Sequence, residues 1–200
     1  MAGQSPRRMT YEEYLAAEAV SDAKHEYLRG EVFVRGDWPT DPWFDEHSPN
    51  HARLALAVGA VLCNALSGRA CAVFGSGMRV HVEAIDLTVT SDLIVICGRF
   101  EHSTIDPNAA VNPTLIVEIL SDSTEAYDRG EKFAHYRKLP SLREYVLVSQ
   151  REPRIESYYK SPAGEWVLTE ARAGETLAIR SLEGVRLETD AVYRDPLAGG

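Results

Sequence analysis

Two hundred residues, 44% of them hydrophobic and 26% charged, suit one globular core and exclude a disordered chain. No stretch approaches the roughly 18–20 apolar residues of a bilayer helix, and the opening MAGQSPRRMTYEEYLAAE lacks a signal peptide's apolar segment, so a cytoplasmic protein is expected. The net charge of −9, from 21 basic and 30 acidic residues, excludes a domain that coats nucleic acid through an overall basic surface.

Thr10 with Glu13 forms a capping box that predicts a helix over roughly 11–19. KHEYLRGEVFVRG reads as a hairpin turning at Arg29-Gly30, and the proline-rich DWPTDPWFDEHSPN as a loop. Ser48 and Pro49 serve as cap and first-turn proline of a helix whose Leu54, Val58, Val61, Leu62 and Ala65 share one face; Gly68 ends it. ACAVFGSGMRVHVE alternates around glycines, and SDLIVI (91–96) is a short strand with a charge at its start. PTLIVEIL (113–120) is apolar on both faces, as a central strand covered on both sides requires. Asp128-Arg-Gly-Glu131 reads as the cap of a helix running to about Leu139, with Phe133, Tyr136 and Leu139 facing the core. REYVLVS (143–149) is a further buried strand, and the tail is a series of short strands broken at Pro-Ala-Gly and Ala-Gly. Without repeats or linkers, residues 1–200 read as one α/β domain around a mixed sheet. Cys63, Cys71 and Cys97 lack CxxC spacing and have apolar neighbours, so reduced, buried thiols are expected.

Asp92 opens one strand, Glu118 interrupts the most apolar one, and Lys132 lies on the helix that follows. A buried carboxylate costs several kcal/mol unless it is paired or bound to a metal. Two carboxylates and a lysine suit a Mg²⁺ site, because that ion takes one or two carboxylates and keeps several waters. The same spacing equally suits a buried Glu–Lys ion pair that fixes the strand-to-helix turn, with Asp92 a simple strand-start residue. FGSGM (74–78) lacks the Gly-x-Ser-x-Gly spacing of a serine hydrolase, and there is no phosphate-cradling P-loop.

YEEYLAAE, EYLRGEVF, SPNHARLALAV, SDLIVI and above all PTLIVEILSDSTEAYDRGEKFAHYRKLPSLREYVLVS resemble the Uma2 family (DUF820) of restriction-endonuclease-like proteins, within the PD-(D/E)XK nuclease superfamily. The resemblance implies a restriction-endonuclease-like α/β (α+β) fold. Its mixed central sheet is flanked by helices, with an N-terminal hairpin and a strand-rich C-terminal tail. It implies Asp92 and Glu118 as the acidic pair and Lys132 as the catalytic cation. The superfamily lysine two residues after the Glu is absent, since Leu120 stands there, and Ser91 replaces the proline before the Asp. Glu31 matches an accessory acidic position and reads either as a third metal ligand or as an exposed hairpin acid. His51 matches a histidine at the helix start and reads either as a phosphate or water contact or as a locally bonded residue. A His47/His51 zinc pair is disfavoured by the intervening Pro49. Arg79, Asp122, Ser123, Thr124, Asp128 and Arg129 read as architectural or substrate-facing, and Tyr136 as core.

The implied activity is Mg²⁺- or Mn²⁺-dependent endonucleolytic cleavage of DNA, with Asp92, Glu118 and Glu31 on the metal. The alternatives are a non-catalytic nucleic-acid or protein interaction module that keeps the fold, and a metal-dependent hydrolase of a smaller phosphodiester. Exposed strand edges make a homodimer plausible; no membrane partner is expected. Gathering of Arg7, Arg8, Arg53, Arg79, Arg129 and Lys138 around one cleft would favour a nuclease, and their scatter a binding module.

Overall fold

The computed structural model describes residues 7–21, 24–34, 48–122, 124–195 and 197; most of the loop expected at 37–50, with His47, lies outside them. Helix α1 (Tyr11–Glu18) starts at the expected capping box, with Glu13 N–H donating to Thr10 Oγ1 at 3.2 Å and Thr10 N–H to Glu13 Oε2 at 2.8 Å. β2 (His25–Leu28) and β3 (Glu31–Val34) form the expected hairpin. Both turn residues, Arg29 (φ 50°) and Gly30 (φ 86°), adopt the positive φ that a two-residue hairpin turn demands.

A first six-stranded sheet has the order β1-β3-β2-β6-β5-β8, adding β1 (Arg7–Arg8), β5 (Arg79–Val82), β6 (Leu87–Thr90) and β8 (Ala109–Ala110) to the hairpin. A second has the order β12-β11-β10-β9-β7-β4, from β4 (Cys71–Gly75), β7 (Leu93–Cys97), β9 (Leu115–Leu120), β10 (Glu144–Ser149), β11 (Arg154–Lys160) and β12 (Trp166–Arg172). Both sheets are mixed: β9 and β10 run parallel in the second and β5 and β8 in the first, and the other pairs of each are antiparallel. β13 (Thr176–Ala178) and β14 (Arg186–Glu188) form a small hairpin, followed by α5 (Thr189–Tyr193).

The central strands β9 and β10 of the second sheet are buried on both faces. Leu115, Val117 and Ile119 of β9 face a core shared with Leu54, Val58 and Leu62 of α2 (Pro49–Ala65) and with the tail's Leu177 and Leu187. Ile116 and Leu120 face a second core with Val80 and Val89 of the first sheet and with Phe133 and Tyr136. The apolar run needs no alternation because neither face sees water. Among the described residues, no helix is long and apolar enough to cross a membrane.

Two expectations are corrected. Asp128 does not cap a helix. The helical segment begins at α3 (Glu125–Tyr127), passes through a π-helical turn at Asp128–Lys132 and continues as α4 (Phe133–Tyr136). Ser121 supplies the start instead, its Oγ accepting from Thr124 N–H at 3.2 Å and its carbonyl from Glu125 N–H at 2.9 Å. The cysteines are not three buried thiols either. Cys71 and Cys97 face each other across the β4–β7 ladder, 4.0 Å apart at Cα, and are disulfide-bonded, while Cys63 is exposed.

Arg79 is architectural. Its Nε and Nη2 donate to Oδ2 and Oδ1 of buried Asp106 at 2.6 and 3.1 Å, and Tyr11 Oη and Asn108 N–H donate to the same carboxylate. Burial raises the Asp106 pKa, but these donors outweigh it and hold the group below its ordinary 3.8. A carboxylate whose folded pKa is depressed stabilises the fold above the unfolded value and loses that contribution as pH falls through the folded one. Asp106→Asn is therefore expected to flatten the decline of stability below about pH 4, checked by urea unfolding across that range.

Candidate active site

The chain crosses between the two large sheets at Ser91–Asp92, leaving the first after Thr90 and joining the second at Leu93. Leu93 pairs with Val117, so Asp92 stands one step beyond that pair, level with Glu118. There its carboxylate replaces a backbone acceptor: Ile119 N–H donates to Asp92 Oδ2 at 2.7 Å. His51 Nε2 lies 3.2 Å from the same oxygen. His51 is delivered by the start of α2, where its own N–H donates to Ser48 Oγ at 3.0 Å. Its ring thus bonds across the fold to Asp92 rather than locally.

Glu118 shares the β9 face of Ile116 and Leu120, the face covered by the helix carrying Lys132. Lys132 Nζ lies 2.9 Å from Glu118 Oε1 and 3.2 Å from Asp128 Oδ1, and Tyr136 Oη donates to Glu118 Oε1 at 3.1 Å. Glu118 and Lys132 are each 1% exposed. Tyr136 is therefore a core residue that also holds the acid. The π turn that places Lys132 is a form found disproportionately at functional sites. Tyr145 Oη donates to the Asp128 carbonyl at 3.0 Å. Burial, together with the charges of Glu118, Asp128 and Asp92, pushes its hydroxyl pKa well above the usual value.

The structure thus brings Asp92, Glu118, Lys132 and His51 together. The other sequence candidate, Glu31, bonds to Arg8 at 3.0 Å with a third of its side chain exposed. The same hairpin sends a different acid inward: Glu26 is buried and accepts from Tyr127 Oη at 2.6 Å, one residue before Asp128. Burial first, then the Glu26 carboxylate, drives the Tyr127 pKa far upward. Alternation alone does not separate the two acids, since Glu26 and Glu31 both fall on the hairpin face that carries Leu28.

Among the described residues, no set of three or more His, Cys, Asp or Glu side chains is arranged to hold a metal ion unaided. Two neighbouring carboxylates fit a hard divalent ion that keeps most of its waters, such as Mg²⁺ or Mn²⁺. They do not fit zinc, which takes three or four protein ligands. Glu118 and Asp128 are buried against Lys132, while buried Asp92 meets His51 and the Ile119 N–H.

The Uma2 family model, described as "Putative restriction endonuclease", matches residues 11–190. The chain belongs to the Uma2 family. Two relatives from Synechocystis sp. (strain ATCC 27184 / PCC 6803 / Kazusa) are similar to it. The uncharacterized protein slr1290 is 32% identical over 188 residues, 94% of this chain and 92% of that protein. The uncharacterized protein sll1609 is 32% identical over 163 residues, covering 81% and 86%. A crystal structure from Anabaena variabilis ATCC 29413, titled as a "putative nuclease belonging to DUF820", superposes with a TM-score of 0.68. It covers 92% of this chain and 97% of its own at 16% identity, a likeness of fold. The resemblance read from the central motif is thus shown, as is the mixed α+β architecture.

Four of the arginines named as candidates for a basic cleft have partners of their own in this Uma2 chain. Arg8 pairs with Glu31, Arg79 with Asp106, and Arg129 with Glu125 and Glu156. Arg53 donates to Asn50 Oδ1 and to the carbonyls of Val192 and Arg194. No two of these arginines share a partner among these contacts.

Proposed function

We propose that this Uma2 protein is a Mg²⁺- or Mn²⁺-dependent endonuclease that hydrolyses DNA phosphodiester bonds. The observation that carries the proposal is the pair of adjacent buried carboxylates, Asp92 and Glu118, with Lys132 Nζ 2.9 Å from the latter. Asp92 and Glu118 would hold the ion. When bound, it supplies a polarised phosphate oxygen and a water acidified towards neutral pH. Lys132 contributes a fixed positive charge for the phosphorus centre as it gains negative charge, preorganised by Asp128 and the π turn. Tyr136 and the Ile119 N–H keep the two carboxylates oriented, each by one bond. His51 bonds Asp92 and can accept or return a proton beside it. Glu26 replaces Glu31 as the accessory acid we favour.

A second reading, an interaction module without turnover, is favoured by the separately held arginines and the net charge of −9. A third, hydrolysis of a smaller phosphodiester, uses the same site. Incubation with supercoiled plasmid and Mg²⁺ or Mn²⁺, beside an EDTA control, separates the first two. Metal-dependent nicking supports the nuclease, and no nicking by folded protein favours the module. Competition by RNA and by a small diester assigns the substrate class.

We also place the protein in the cytoplasm, where the Cys71–Cys97 bridge would meet reductant. The seven-residue β12 at the edge of the second sheet offers a pairing edge for a homodimer.

A further inference from the structure

The turn that carries Lys132 is held by three neighbouring strands, and one of those contacts lies outside the site described above. Glu118, Leu147 and Glu156 are successive cross-strand partners on β9, β10 and β11. Glu118 and Glu156 therefore share a sheet face, two strand spacings or about 10 Å apart. Lys132 meets Glu118 on β9, and Tyr145 on β10 donates to the Asp128 carbonyl. On β11, Glu156 Oε2 lies 2.5 Å from Arg129 Nη2. Arg129 Nε also donates to Glu125 Oε1 at 2.7 Å, so one guanidinium bridges helix and sheet. Glu156 is 6% exposed, and Arg154 Nε, 3.9 Å away, is a more distant cation.

We propose that Arg129 and Glu156 are a positioning pair: by tying the π turn to β11 they set the height at which Lys132 stands over Glu118. This rests on the reading of Lys132 as part of a nuclease site. A π turn carries one residue more than an α turn and is uncommon, so it persists where its surroundings hold it. Release at Arg129 lets the segment relax towards α-helical pitch, where one residue of register is about 1.5 Å of rise. A displacement of about 1 Å can cost roughly 100-fold in rate when it misaligns a catalytic group. An exposed ion pair would exert little hold; here one partner is buried and the guanidinium is engaged twice, a geometry that lysine cannot reproduce.

The test compares the full-length chain with Arg129→Gln, Arg129→Lys, Glu156→Gln and the double glutamine variant. It reads Mn²⁺-dependent plasmid nicking as kcat and KM, and amide hydrogen exchange from β9 through β10. Either glutamine variant is expected to lower kcat about 10- to 100-fold with KM within about twofold. Arg129→Lys recovers part of the loss, and the double variant is no worse than the weaker single one. Exchange rises across 128–136 while β9 and β10 stay protected. Unchanged kcat in folded variants overturns the proposal, as do additive losses or unchanged exchange. If the wild type nicks nothing, the nuclease reading fails by itself. Hydrogen exchange in the same samples then still decides whether the pair holds the turn.

Discussion

Lys132→Ala is expected to lower the unfolding free energy by about 3–5 kcal/mol, the usual cost of deleting one partner of a buried ion pair. The ammonium is 1% exposed and lies between Glu118 and Asp128, so its removal leaves two buried carboxylates without their cation. The same deletion leaves a void beneath Tyr136, whose ring centroid is 5.9 Å from Nζ. Urea unfolding at neutral pH measures the loss, and nicking by whatever fraction stays folded should be abolished. A loss under about 1 kcal/mol would mean that the ammonium contributes as little as an exposed surface pair.

Glu118→Gln is expected to do the opposite: destroy activity while sparing the fold. Glutamine keeps the shape, its oxygen can still accept from Tyr136 and Lys132, and Lys132 keeps Asp128 at 3.2 Å. The substitution also removes one negative charge from a group of three buried carboxylates, which relieves repulsion with Asp92 and Asp128. Stability should therefore change by about 1 kcal/mol or less. Cleavage should fall by at least about 100-fold, since loss even of an outer partner of a metal site commonly costs 10–100-fold. The structural ion-pair reading makes the reverse forecast, with no role in cleavage and a cost of several kcal/mol for uncoupling Glu118 from Lys132. The two substitutions together therefore discriminate between a site and a staple.

Much of this arrangement could be read from the sequence because the chain marks it with local chemistry. Capping residues marked the starts of α1 and α2 at Thr10 and Ser48. The uninterrupted apolar run marked β9 as a strand buried on both faces, which made Glu118 conspicuous. What sequence could not supply was pairing across the fold. The crossing between sheets at Ser91–Asp92 depends on which strands neighbour one another, and only that crossing sets Asp92 level with Glu118. The choice between Glu26 and Glu31 turns on which end of one hairpin meets Tyr127. The π turn was invisible because DRGEK itself carries no mark of the contacts that its residues make with β9, β10 and β11. Asp128 looked like a cap for the same reason: an aspartate ahead of an apolar run has that signature unless a lysine four residues on claims it. The Cys71–Cys97 bridge escaped because CxxC spacing marks metal and redox motifs, whereas a cross-strand bridge can join any two strands.

The most direct test of the central claim, that Asp92 and Glu118 together hold a divalent cation, is calorimetric titration of the purified chain with Mn²⁺. Asp92→Asn and Glu118→Gln are titrated alongside, with Asp106→Asn as a control away from the site. Saturable binding by the wild type and the control, lost in both site variants, is the expected result. A folded wild type that binds no Mn²⁺, or binding that survives both site substitutions, would contradict it.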